Sequence, residues 1–169
     1  MDHLFRIVYV STAVPGLGDR DIDSLLNISQ SNNDERFITG YLVHNGASFM
    51  QLIEGPFDEV DEIYARILRD RRHTGIVRIQ AEWASARVFP NWSMNYFRVD
   101  RHDGIGAMVA RAGDSVDSLM EAGVPRDVLH LFSKFIQQAD YPDPGQADGS
   151  APGVPSAGTP SGPQQDPQA

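Results

Sequence analysis

The sequence predicts an α+β fold of the ferredoxin-like kind, a βαββαββ sandwich in which two helices cover one face of a mixed sheet and two extra C-terminal helices lie on the opposite sheet face. Three observations predict it. Residues 4–11, 37–44, 47–54 and 75–84 are rich in β-branched and aromatic side chains. Asn45-Gly46 separates the second and third of these runs as a hairpin signal. Helical apolar spacing occurs twice, once after the first run and once after the third, and two helices on one sheet face bury both stripes economically.

The first strand, residues 4–11, ends at the loop Pro15-Gly16-Leu17-Gly18. Asp19 or Asp21 then caps a helix carrying Ile22, Leu25 and Leu26, which frays at Ser31-Asn32-Asn33. Strands two and three follow, joined by Asn45-Gly46 in a type I′ turn, where both central residues need positive φ. Gly55-Pro56 opens the second helix, with Asp58 and Glu59 at its positive end and a buried stripe of Val60, Ile63, Tyr64, Ile67 and Leu68. Residues 75–84 form the fourth strand. The Phe89-Pro90-Asn91 bend leads into a fifth at 92–99. Beyond it, Val116, Leu119 and Met120, then Val128, Leu129, Phe132 and Ile136, mark two short helices on the face that would otherwise be wet.

Composition narrows the function. Among 169 residues there is no cysteine, so disulfides, thiolate chemistry and cysteine-ligated zinc are excluded. The histidines, His3, His44, His73, His102 and His130, lack metal-binding spacing, and no metal is expected. A net charge of −9 disfavours nucleic acid. The basic run Arg69-Asp70-Arg71-Arg72-His73 reads as cations at a helix C-terminus. No apolar run approaches the roughly 20 residues of a membrane helix, so no membrane association and a cytoplasmic location are expected. From Pro142 onward lie seven of the 11 prolines, with no aromatic, Lys or Arg, and three acids, Asp143, Asp148 and Asp166. Such a stretch cannot offset its ordering entropy by burial. The organisation expected is a folded domain at 1–100, a helical extension at 101–141 and a disordered tail at 142–169.

Taken singly, the polar residues of the sandwich have bland readings. Tyr9 on a strand reads as core. Asn32-Asn33 reads as a helix cap, Arg66 and Asp70 as an i, i+4 ion pair on the second helix, Trp92 and Met94 as packing, and His73 as a helix-end histidine. Gln51 is the exception. Between Met50 and Leu52 on a central strand, its amide needs a side-chain or ligand partner or costs about 1–3 kcal/mol.

As an ordered set the residues carry more. Tyr9-Val10-Ser11, Asn33 seven residues before Gly40, Phe49-Met50-Gln51-Leu52-Ile53-Glu54-Gly55, Asp70-Arg71-Arg72-His73 and Phe89-Pro90-Asn91-Trp92-Ser93-Met94 together resemble the BLUF family of flavin-binding blue-light receptors, over about residues 4–100. The resemblance implies a non-covalent flavin, FAD or else FMN, between the two sandwich helices. Asn32, Asn33, Arg66, Asp70 and His73 would contact it. Tyr9 would be its electron and proton donor and Gln51 the amide left rotated or tautomerised, with Ser11, Trp92 and Met94 completing the photoswitch. It also implies a sensor rather than an enzyme, signalling to a downstream protein or through a change of homo-oligomer. Two competing readings stand beside it. One is a small hydrolase resembling acylphosphatase, using Gly16-Leu17-Gly18 as an anion cradle. The other is a cofactor-free interaction module in which Tyr9 and Gln51 are merely packed.

Overall fold

The computed structural model describes residues 4–91, 93–99, 104–112, 120–121 and 124–138. Five strands, β1 (Leu4–Ala13), β2 (Thr39–His44), β3 (Ser48–Pro56), β4 (His73–Ala84) and β5 (Asn95–Arg98), form one sheet in the order β4-β1-β3-β2-β5. β1 runs antiparallel to β3 and β4, β2 antiparallel to β3, and β5 parallel to β2. The helices are α1 (Asp19–Glu35), α2 (Phe57–Ile67), α3 (Ile105–Ala112) and α4 (Arg126–Gln137).

Alternation in the central strands divides the core in two. Ile7, Tyr9, Leu42, Phe49 and Ile53 face Val60 and Tyr64 of α2 and the partly buried Leu25 and Leu26 of α1. Val8, Tyr41, Val43, Met50 and Leu52 face the other way, against Met108 and Val109 of α3 and Val128, Phe132, Phe135 and Ile136 of α4. A strand buried on both sides reads as a continuous apolar run, which is why β3 shows Phe49-Met50-Gln51-Leu52-Ile53 with one polar residue in five.

Several elements depart from the sequence reading. α1 does not fray at Ser31 but continues to Glu35, because Asn33 makes a tertiary bond that outweighs its weak helix propensity. Its N-cap is Gly18, and Asp21, three residues in, accepts the Gly18 N–H at 3.0 Å in a capping-box contact. The helix ends where Phe37 takes φ 54, a left-handed C-terminal position that usually belongs to glycine. β2 therefore begins at Thr39.

The hairpin stands where Asn45-Gly46 predicts it, but positive φ occurs at Gly46 and not at Asn45, so the type I′ expectation fails. Asn45 pairs with Ser48 through the backbone. Its side-chain Oδ1 also accepts the N–H groups of Ala47 and Ser48, which fixes the turn from outside its centre. Gly55 and Pro56 close β3, and Pro56 is at the same time the N-cap from which α2 opens at Phe57, as expected. A Cβ on Gly55 would stand 2.9 Å from the Phe37 carbonyl. The α2 stripe stops at Ile67, since Leu68 is exposed.

α4 realises the second expected C-terminal helix. Of the first, Val116 and Leu119 lie outside the described residues, as does the tail from Pro142, while Met120 is helical. α3 is an element that the sequence reading did not foresee.

Candidate functional site

β-Sheet register assembles the site. Tyr9 of β1 pairs with Gln51 of β3, and Gln51 with Leu42 of β2, so the three side chains stand abreast on the face covered by α1 and α2. Between that face, α1 and α2 opens a cleft. Leu25, Leu42, Phe49, Ile63 and Ile67 make its walls apolar. Tyr9, Ser29, Asn33, Gln51, Asp70, Arg72 and His73 bring polar groups to it, and Met94 brings a thioether.

The Tyr9 hydroxyl donates to Gln51 Oε1. Gln51 Nε2 in turn donates to Met94 Sδ at 3.1 Å. The amide that looked unsatisfied in the sequence thus has a strong partner on one side and a weak acceptor on the other. Burial first, then the neighbouring Tyr64 and Asp70, push the Tyr9 phenol above its ordinary value, so the hydroxyl keeps its proton. A tyrosine hydroxyl can both donate and accept. Rotating the Gln51 amide by half a turn therefore preserves a Tyr9–Gln51 bond while placing an oxygen, instead of an N–H, against the sulfur.

Asn33 Nδ2 donates to the Ser93 carbonyl at 2.6 Å. That bond uses only part of an amide's capacity of two donors and two lone pairs. His73 Nε2 lies 3.2 Å from the Ile67 carbonyl and Nδ1 2.8 Å from Ser11 Oγ. A carbonyl can only accept, so the neutral ring carries its proton on Nε2 and accepts the Ser11 hydroxyl at Nδ1. Burial holds the His73 pKa below its usual value, joined by Arg72 and opposed by Asp70 and the Ile67 carbonyl. At Asp70, burial would raise the carboxyl, but hydrogen bonds and charge from Arg72 outweigh it, and the net direction is down.

Of the residues named from the sequence, Tyr9, Asn33, Gln51, Asp70, His73 and Met94 line the cleft, and Ser11 stands behind His73. Asn32 does not reach it and is exposed. Adjacent helical residues point about 100° apart, so only one of two neighbouring asparagines can face the sheet. Arg66 is also turned away and pairs with Glu62, four residues before it, not with Asp70. The expected Arg66–Asp70 pair fails because α2 ends at Ile67 and Asp70 sits in the following turn, where it bonds Arg72. Trp92 lies outside the described residues. Arg72 and Ser29 were missed. The four-residue spacing Leu25, Ser29, Asn33 was the available signal for Ser29. Arg72 was hidden in a basic run explained by the helix dipole.

Residues 4–95 match the BLUF family model, described as sensors of blue light using FAD. The chain is 36% identical over 125 residues to the blue light- and temperature-regulated antirepressor BluF of Escherichia coli K12, covering 72% of this chain and 31% of that protein. It is 32% identical over 92 residues to the photoactivated adenylate cyclase subunit beta of Euglena gracilis, covering 54% of this chain and 11% of that one. The chain thus spans less than a third of either relative. Among solved structures, the dark state of the BLUF protein BlrB superposes with a TM-score of 0.60 at 32% identity, over 80% of this chain and 97% of that one. A bacterial light-regulated adenylyl cyclase gives 0.58 at 28% identity, over 78% and 40%.

Proposed function

Since the chain belongs to the BLUF family, whose members sense blue light with a bound flavin, we propose that Tyr9, Gln51 and Met94 are its light switch and that FAD is the flavin it takes. The observation that carries the proposal is the chain of bonds from the Tyr9 hydroxyl through the Gln51 amide to the Met94 sulfur, on the wall of an apolar cleft.

The side chains suit such a group. A flavin's pyrimidine edge alternates carbonyls with nitrogens, and Gln51, Asn33 and Arg72 offer amide and guanidinium donors beside amide acceptors. Leu25, Phe49, Ile63 and Ile67 offer the apolar contact that a flat ring needs. When bound, the flavin supplies absorption of blue light and an oxidising excited state. In this reading Asn33 and Arg72 hold its polar edge, with Asp70 orienting Arg72, while His73 flanks it from a position fixed by Ser11. Asn32 and Arg66 stand outside the contact set.

The switching step belongs to the protein. Tyr9, on giving an electron to the excited flavin, would become acidic enough to pass its proton to Gln51 Oε1; when electron and proton return to Tyr9, the Gln51 amide would be left rotated or as its imidic tautomer, an isomer with the same atoms. Either outcome reverses what Gln51 presents to Met94 and to the cleft. β3 carries this to the other face, because Met50 and Leu52, flanking Gln51, pack in the cluster that holds α3 and α4. We take residues 1–100 as the sensing unit, 101–141 as the output extension and 142–169 as a tail. The output is a contact with a downstream protein or a change of homo-oligomer in the cytoplasm. Among the described residues no helix is long and apolar enough to cross a membrane.

Tyr9→Phe and Gln51→Leu test the assignment. Each should bind flavin and lose the reversible light-induced red shift. A wild-type shift in either variant would remove that residue from the switch.

A further inference from the structure

The segment entering β5 is fastened to α1 by two side chains. Gln30 Nε2 donates to the Met94 carbonyl at 2.9 Å, and Asn33 Nδ2 to the Ser93 carbonyl at 2.6 Å. Residues three apart lie on one helix edge, so consecutive carbonyls are met by neighbouring side chains. The Met94 side chain is buried, and its methyl sits over Gly40, where a Cβ would stand 3.2 Å from Met94 Cε and 2.5 Å from the Leu52 carbonyl. The chain therefore makes room for Met94 on the β2 side and grips its backbone from the α1 side. Gln30 is itself exposed, so core packing does not account for its place.

We propose that Gln30 is a positioning residue of the switch, holding Met94 so that its sulfur stays against the Gln51 amide and thereby setting how long the switched state lasts. The inference rests on the Tyr9–Gln51–Met94 reading. In the resting orientation the sulfur meets an N–H. In the rotated one it meets a carbonyl oxygen, and two acceptors face each other. With Met94 held, that contact cannot relax and drives the amide back. With the grip removed, Met94 can withdraw and the switched state persists.

Gln30→Glu keeps length and shape but replaces the donor by an acceptor, while Gln30→Lys restores a donor of similar reach. Two measurements on the full chain are needed. One is the dark return after blue light, followed by absorption in the FAD-loaded protein. The other is the Met94 methyl resonance of flavin-free protein labelled at methionine methyls and assigned with Met94→Leu. Gln30→Glu should keep the amplitude of the red shift, slow the return about three- to tenfold, as loss of one hydrogen bond allows, and move the Met94 resonance. Gln30→Lys should bring both back toward wild type. A return within twofold of wild type in Gln30→Glu, or an unmoved Met94 resonance, overturns the proposal. If wild type shows no red shift, the switch reading itself falls, and the methyl resonance still decides whether Gln30 holds Met94.

Discussion

Tyr9 and Gln51 bond each other in a place nearly closed to water, at 3% and 6% exposure, and this fixes how their removal should combine. Tyr9→Phe leaves Gln51 Oε1 without its donor. Gln51→Leu leaves the Tyr9 hydroxyl without its acceptor. Each single change should cost about 1–3 kcal/mol, the penalty of a stranded buried polar group. The double variant strands neither, and replacing both partners by apolar groups of similar shape is close to neutral. The two losses therefore should not add: the double variant should be at least about 1.5 kcal/mol more stable than their sum. Urea unfolding of all four flavin-free proteins measures this without the contribution of bound ligand. Additivity within about 0.5 kcal/mol, the behaviour of independent sites, would refute the dyad.

Three further outcomes follow from the geometry. Asn33→Ala should weaken flavin binding by about 1–3 kcal/mol, whereas the exposed Asn32→Ala should leave it nearly unchanged; equal effects in a fluorescence titration would contradict the placement of α1. Because burial depresses the His73 pKa in the folded chain, the unfolded chain takes up a proton first as pH falls below about 6.5. Stability should accordingly be lost between neutral pH and the lowered folded value. Compared by urea unfolding at pH 7 and pH 5, His73→Gln should lose less stability than wild type, and an equal loss would count against a buried neutral His73. Phe37→Gly should raise the melting temperature, since the ring is 75% exposed and a left-handed residue with a Cβ costs about 1–2 kcal/mol; a fall would mean that the ring packs where the fold leaves it open.

The fold was legible because hydrophobic period and turn chemistry agree along the chain. The residues that divide the two core faces, such as Tyr9 and Val8 or Gln51 and Leu52, can be read from alternation alone. What escaped the sequence depends on contacts distant along the chain. Asn33 reaches Ser93 and thereby prolongs α1, and no local propensity contains that bond. The choice between Asn32 and Asn33 needs the helix phase, and the fate of Arg66 needs the end of α2, a boundary that periodicity leaves loose by a turn. The buried ion pair of Arg6 with Glu54 also went unread. Glu54 accepts the backbone N–H groups of Val88 and Phe89 at 2.9 and 2.8 Å and ties the loop after β4 to the sheet. Of the site, Gln51 stood out singly as a central-strand amide in need of a partner, whereas Tyr9 stood out only within an ordered set of motifs, because alone it also makes an ordinary core residue.

The central claim is that this chain holds a flavin whose surroundings are switched by light through Tyr9 and Gln51. The most direct measurement is the absorption spectrum of the FAD-reconstituted full chain before, during and after blue illumination. The account predicts a yellow protein whose absorption moves to the red under light and returns in darkness, and a Tyr9→Phe protein equally yellow whose spectrum does not move. A chain that takes up neither FAD nor FMN, or a bound flavin whose spectrum blue light leaves unchanged, would contradict it.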